Sequence, residues 1–128
     1  MSESIHGQCA IISEEIYNIL GNGRRETIYQ NAMTVELMKR NIECSIEVTN
    51  TVMYKGYNVG HVRYDIVIYE NGNMSSIIEC KSVAKCSDSL KNQARAYYRD
   101  TNCPVFFVNF GNQKVEYEVI NSEKETHM

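Results

Sequence analysis

Glu79 and Lys81 stand two residues apart in Ile77-Ile78-Glu79-Cys80-Lys81-Ser82-Val83, an otherwise largely apolar stretch. In an extended chain successive side chains point to opposite faces, so the acid and the ammonium share one face while Ile78 and Cys80 take the other. Asp65 lies as far before Gly72 as Glu79 lies after it. Between them, Glu70-Asn71-Gly72-Asn73 is a hairpin signal, because Asn-Gly tolerates the positive φ angles of tight turns. Folding there brings the two carboxylates to facing positions, within about one residue of register. Like charges opposed in a sheet are costly. Either these are solvent-face residues with Lys81 paired to Glu79, or a cation sits between the acids. A hard divalent ion such as Mg²⁺, which takes a few carboxylate oxygens together with water and substrate phosphates, has the right chemistry.

Two further polar residues fall at unexpected places. Glu26 projects by helical spacing into the stripe of Tyr29, Met33 and Leu37, so its carboxylate is expected on the core side of its helix. The other explanation for an acid there is the helix dipole, which favours negative charge in a first turn. Gln93 flanks the Leu90, Ala94, Tyr97 stripe, where a buried amide needs a partner. His61 is expected to be a surface or satisfied polar residue rather than a metal ligand. Lys91, Arg95 and Arg99 form a stripe at i, i+4, i+8 nearly opposite Gln93, expected to be a solvated face. The better phosphate-contact candidates are Arg24, Arg25, Arg63 and Lys85; each could equally be ordinary surface charge.

The elements that must position these groups follow from periodicity. A first helix is predicted from about Ser2 to Leu20, ended by Gly21-Asn22-Gly23, and a second from about Arg25 to Arg40. Alternation at Ile42, Cys44, Ile46 and Val48, then Val52 and Tyr54, gives a strand, followed by a Lys55-Gly56 turn and a strand ending at Val62 to Tyr69. The Glu79 strand returns from the hairpin. Ser87-Asp88-Ser89 can cap a third helix through about Asp100. Pro104 to Phe110 reads as a buried strand, with Val115, Tyr117 and Val119 on a final one. The order is α-α-β-β-β-α-β-β, a single domain over residues 1–120 with a polar tail from Asn121 to Met128.

Glu26 on an early helix, then Asp65 and Glu79-Cys80-Lys81 on a hairpin, then Gln93 on the next helix together resemble the PD-(D/E)XK nuclease superfamily. Gly23-Arg24-Arg25-Glu26-Thr27-Ile28-Tyr29 is similar to the G-x-x-E-x-x-Y signature of one family within it. Further similarity lies in Tyr54-Lys55-Gly56, Tyr64-Asp65-Ile66-Val67-Ile68 and Val108-Asn109-Phe110, so the resemblance spans about Ile12 to Phe110. Tyr64 stands where the superfamily pattern has a proline. The resemblance implies a restriction-endonuclease-like α/β core (αβββαβ), its mixed central sheet flanked by helices, plus an extra N-terminal helix. It implies that Asp65 and Glu79, with the Cys80 backbone carbonyl, ligate Mg²⁺ or Mn²⁺, and that Glu26 acts through water or a second ion. Lys81 would lie beside the attacking water and Gln93 would orient Lys81 or the phosphate. Cys80 itself is expected to be a packed thiol.

At 128 residues the chain is long enough for a core without staples, and 43% apolar with 23% charged residues excludes the disordered and fibrous classes. Five cysteines without a C-x-x-C pair argue against a disulfide framework and a structural zinc site. The expectation is an intracellular, soluble chain in a reducing compartment, with no membrane span. No Ser-His-Asp or Cys-His arrangement and no phosphate-cradling glycine loop is evident. A formal charge of −3 disfavours tight non-specific nucleic-acid binding, although the site acids contribute to it. Two functions remain: a metal-dependent nuclease acting on DNA, with a homodimer expected to cover a duplex, or a binding module for nucleic acid or protein that keeps the fold without cleaving.

Overall fold

The computed structural model describes residues 4–122. Helix α1, Ile5–Leu20, opens on a Ser4 cap whose hydroxyl accepts the Gly7 amide at 3.0 Å, and it buries Cys9, Ile12 and Ile16 along one face. Gly21, at φ 73°, ends it. Helix α2, Glu26–Lys39, buries Tyr29, Met33 and Leu37. Three strands follow, β1 Cys44–Tyr54, β2 Tyr57–Glu70 and β3 Asn73–Lys81. A 3₁₀ turn over Asp88–Lys91 then leads into α3, Asn92–Thr101, and the chain finishes with β4 Val105–Asn109 and β5 Glu116–Ile120. The elements run in the order that periodicity predicts. The tail beyond residue 122 lies outside the described residues.

The strands form one sheet in the order β1-β2-β3-β4-β5. Neighbours are antiparallel except β3 and β4, which run parallel because α3 carries the chain across between them. One face packs on α1 and α2 through Ile66, Ile68, Ile78, Phe106 and Val108. The other packs on α3 through Tyr64, Val67, Ile77, Val105 and Phe107. A mixed five-stranded sheet with three helices is compatible with a restriction-endonuclease-like fold.

The β2 to β3 turn has Asn71 at φ 54° and Gly72 at φ 81°, the positive values that Asn-Gly supplies. Strand β2 starts earlier than alternation alone suggests, at Tyr57, and pairs with β1 as a ribbon, through a register shift between Val52 and Met53, up to a tight turn at Lys55-Gly56, with φ 49° and 82°. Both ribbon strands exchange faces part-way along. Tyr64 and Ile66, two apart, lie in opposite cores, as do Cys44 and Val48, four apart. The exchange falls at the level of Glu47 and Asp65, where the ladder steps from Ile46 with Ile66 to Val48 with Tyr64. Glu47 takes φ 54° there, a left-handed backbone uncommon for a non-glycine residue inside a strand.

The Lys91, Arg95, Arg99 stripe is the solvated face expected only at Arg99. Arg95 is buried, its guanidinium donating to Asp88 Oδ1 at 2.8 Å, the Asp88 carbonyl at 3.2 Å and Asn92 Oδ1 at 2.7 Å. Lys91 forms an ion pair with Glu118. The reason is the 3₁₀ turn. Ser87-Asp88-Ser89 does not cap a continuing α-helix; it folds over Arg95, and Arg95 staples it down. All five cysteines are free thiols. Among the described residues no helix is long and apolar enough to cross a membrane.

Candidate active site

The hairpin that holds the two acids parts where they stand. Pairing between β2 and β3 runs from Glu70 with Asn73 to Ile66 with Ile78, and beyond it the carboxylates bridge the gap. Glu79 Oε1 accepts the Asp65 amide at 3.1 Å and Asp65 Oδ2 accepts the Cys80 amide at 2.9 Å. Each acid is thus held by the backbone of the other's strand, and a side-chain hydrogen bond between the two carboxyl groups adds to the contact. A residue's N–H and C=O point to the same side of a strand, so the Cys80 carbonyl also faces the Asp65 side.

Glu79 is only 3% exposed. Burial, and next the charge of Asp65, push its carboxyl up to about 8, with Lys81 pulling the other way. Because the folded state then holds a proton that the unfolded chain releases near its ordinary 4.5, the metal-free protein is expected to lose stability as pH rises from about 4.5 to 8 and to level off above. Urea unfolding across that range checks this, and in Glu79→Gln the slope is expected to flatten.

These two acids share an open cleft of about 390 Å³ with His61, Val62, Arg63, Lys81, Gln93 and Tyr97. Lys81 Nζ donates to Gln93 Oε1 at 3.4 Å, a long bond between partly exposed groups. Gln93 is exposed at the cleft rather than buried beside its stripe, and His61 is an exposed wall residue. Cys80 is fully buried among apolar side chains, which pushes its thiol far up, and is a packed residue as expected.

Glu26 is placed differently from the expectation. It does not point into the Tyr29, Met33, Leu37 stripe but is exposed, because as the first residue of α2 it lies beyond the packed length of the helix. With Arg24, Arg25, Thr27 and Ser82 it lines a separate depression, near enough to β3 for its charge to add to the upward push on the Cys80 thiol. Lys85 is exposed in the segment after β3.

The residues before α2 show why glycine and tyrosine bracket Glu26. Gly23 takes φ 83° and its amide donates to the Phe110 carbonyl at 3.3 Å. Tyr29 is fully buried, its ring stacked on Phe110 at 4.3 Å and 5°. Its hydroxyl donates to the Gly21 carbonyl at 2.6 Å and accepts the Arg24 amide at 3.1 Å. Removing that hydroxyl leaves both loop groups without a partner, so Tyr29→Phe is expected to cost about 1–2 kcal/mol by thermal unfolding and to loosen the loop carrying Glu26.

The sequence model of the PD-(D/E)XK nuclease superfamily matches residues 3–121, nearly the whole chain. The chain belongs to that superfamily. No curated protein and no solved structure matches it. Membership of the PD-(D/E)XK nuclease superfamily suggests a nuclease and implies a nucleic-acid substrate, and its members typically use divalent metals.

The donor set of this PD-(D/E)XK chain can be tested against such an ion. Among the described residues no three His, Cys, Asp or Glu side chains cluster closely enough to hold a metal. The two carboxylates can, if backbone carbonyl and water complete the shell, which is the arrangement Mg²⁺ favours. Burial of Glu79 beside the charge of Asp65 disfavours its ionised form by more than Lys81 offsets, and a divalent ion would supply the missing positive charge, so the residues fit.

Two residues carry no role in the sequence pattern yet hold this part of the PD-(D/E)XK chain in place. Tyr97, one helical turn after Gln93, is buried under the cleft, edge-on to Tyr64 at 4.7 Å, and donates to the Arg63 carbonyl at 3.2 Å. Its i+4 spacing from Gln93 was the available signal. Asn109, fully buried, extends the parallel ladder with its side chain: Oδ1 accepts the Val83 amide at 2.9 Å and Nδ2 donates to the Val83 carbonyl at 3.0 Å. It anchors the chain two residues after Lys81.

Proposed function

We propose that this protein is a metal-dependent nuclease of the GxxExxY family, hydrolysing phosphodiester bonds with DNA as the expected substrate and Mg²⁺ or Mn²⁺ as the ion. The observation that carries the reading is the reciprocal clasp of Asp65 and Glu79 in one cleft with Lys81 and Gln93. Asp65, Glu79 and the Cys80 carbonyl would hold the ion. When bound, it supplies positive charge against the phosphate and acidifies water. Lys81 orients the attacking water or offsets charge that builds on the phosphate, and Gln93 positions Lys81. Arg63, which lines the cleft, and Arg24 and Arg25, which line the separate depression with Glu26, would take flanking phosphates. Glu26 would act through water from that depression, and Lys85 is a more peripheral phosphate contact. A homodimer is expected only on a duplex, since a core this small covers one strand.

Calorimetric titration of Mg²⁺ and Mn²⁺, in buffers of differing ionisation enthalpy, tests the site apart from catalysis. Binding near neutral pH is expected to release a proton, because Glu79 must ionise to ligate. Cleavage of single- and double-stranded DNA by the same preparation completes the test. A protein that neither binds the ions nor cuts, with nucleic acid present to complete the shell, would be a non-catalytic module on the nuclease fold.

A further inference from the structure

The ribbon of β1 and β2 runs on past the rest of the sheet. Strand β2 pairs with β3 only from Ile66 onward, so its earlier residues have β1 as their sole ladder partner. At the far end Tyr54 and Tyr57 face each other directly across the Lys55-Gly56 turn, 59% and 74% exposed, and Met53 and Val59 beside them are as open. Positive φ at both central turn positions marks the tight hairpin that matches strand twist and sets the two tyrosines opposite each other. Lys55 Nζ sits 5.4 Å from the Tyr54 ring centre.

Charge along the ribbon is segregated. The chain carries 16 acidic against 13 basic residues, yet Val48 to Tyr64 contains no Asp or Glu, while Lys55, His61 and Arg63 lie within it. At its base the ribbon is continuous with the candidate active site. His61 and Arg63 line the cleft of Asp65 and Glu79, Asn50 Nδ2 donates to the Tyr64 hydroxyl at 2.9 Å, and Tyr64 packs edge-on against Tyr97. At about 3.3 Å per residue the tip stands roughly 25 Å along the strand from Asp65, a span of several nucleotides.

Resting on the nuclease reading of the cleft, we infer that the ribbon is an arm that binds a single-stranded stretch of the substrate, with Tyr54 and Tyr57 stacking on unpaired bases and Lys55 and Arg63 contacting phosphates. Two cations are too few to track a duplex, whose binders neutralise many phosphates. Paired exposed rings beside sparse positive charge are the means by which single strands are held. A second copy of the chain is the less suited occupant. A stable dimer buries roughly 800 Å² per partner, whereas the exposed large apolar groups at the tip are the side chains of Met53, Tyr54, Tyr57 and Val59.

The test compares the full-length wild type, Tyr54→Ala/Tyr57→Ala and Tyr54→Phe/Tyr57→Phe. Binding of a fluorescein-labelled single-stranded oligodeoxynucleotide, and of the same strand annealed to its complement, is followed by anisotropy with EDTA present to prevent cleavage. Cleavage kinetics are measured separately with Mg²⁺. The alanine pair is expected to bind the single strand at least about tenfold more weakly and the duplex unchanged, the phenylalanine pair to bind like wild type, and the alanine defect in cleavage to fall on KM rather than kcat. Single-strand affinity unaffected by the alanine pair would overturn the inference. So would a wild-type dimer that the alanine pair turns into a monomer with single-strand affinity intact. Tyrosine-dependent binding without any cleavage would leave the arm standing and remove the nuclease reading; cleavage insensitive to the tyrosines would do the reverse.

Discussion

Asp65→Asn is expected to lower Mg²⁺-supported cleavage about a thousandfold while leaving the metal-free fold at least as stable as the wild type. The substitution keeps shape and retains an oxygen for the Cys80 amide, so the bond that spans the parted strands survives. It removes one of two negative charges meant to hold the ion. It also removes the second-largest influence holding the Glu79 carboxyl near 8, so that group shifts back toward its ordinary range. Activity and stability then move in opposite directions, as expected where repulsion is tolerated in the folded protein for the sake of a ligand. Paired measurements of cleavage rate and of thermal unfolding with EDTA present decide the matter. A variant that cuts at most of the wild-type rate, or that unfolds well below it, would remove Asp65 from the proposed ion site.

Gly111→Ala is expected to cost about 3 kcal/mol or more. A Cβ on Gly111 would land on the backbone nitrogen and carbonyl of Val83, which cannot rotate aside as a side chain would. The Gly111 amide also donates to Asn109 Oδ1 at 3.1 Å, the same oxygen that takes the Val83 amide. Room for the methyl must therefore come from pushing the segment after β3 away from β4 and breaking the asparagine clasp. Since Val83 follows Lys81 by two residues, cleavage is expected to fall with stability, even well below the melting temperature. Urea denaturation gives the first quantity and rates at low temperature the second. A variant as stable as wild type would mean that the two segments are not in this close contact in solution.

The site's centre was readable because it is local. A hairpin closed at Asn71-Gly72 brings Asp65 and Glu79 within one residue of register by counting, and an irregularity between Ile68 and Tyr69 supplies the last step: the turn pairs Glu70 with Asn73, yet beyond the shift Ile66 faces Ile78. What depends on distant chain could not be counted. Asn109 clasps Val83 only because α3 carries β4 into parallel register with β3, and no spacing between positions 83 and 109 announces that. The burial of Arg95 is not legible because the pattern from Ser87 reads as an unbroken helix, whereas a 3₁₀ turn with different residues per turn folds over it. The exposure of Glu26 is not legible because helical spacing gives only rotation about the axis and says nothing of where along that axis the packing stops. The β1–β2 ribbon is half legible: alternation carries β1 to Tyr54 and the turn falls at Lys55-Gly56, whereas the start of β2 at Tyr57 is unmarked because a two-stranded arm open to solvent needs no regular apolar alternation.

Confinement of both acids to one hairpin has a consequence for how the chain folds. β2 and β3 can pair through a short turn, before the slower closure that brings β4 across, so Asp65 and Glu79 meet while little else is in place. Their mutual repulsion then belongs to the folding barrier as well as to the finished protein. Refolding of the metal-free chain is accordingly expected to be faster at mildly acidic pH, where Glu79 is protonated, than above 8, and stopped-flow measurements in the two conditions would read the difference directly.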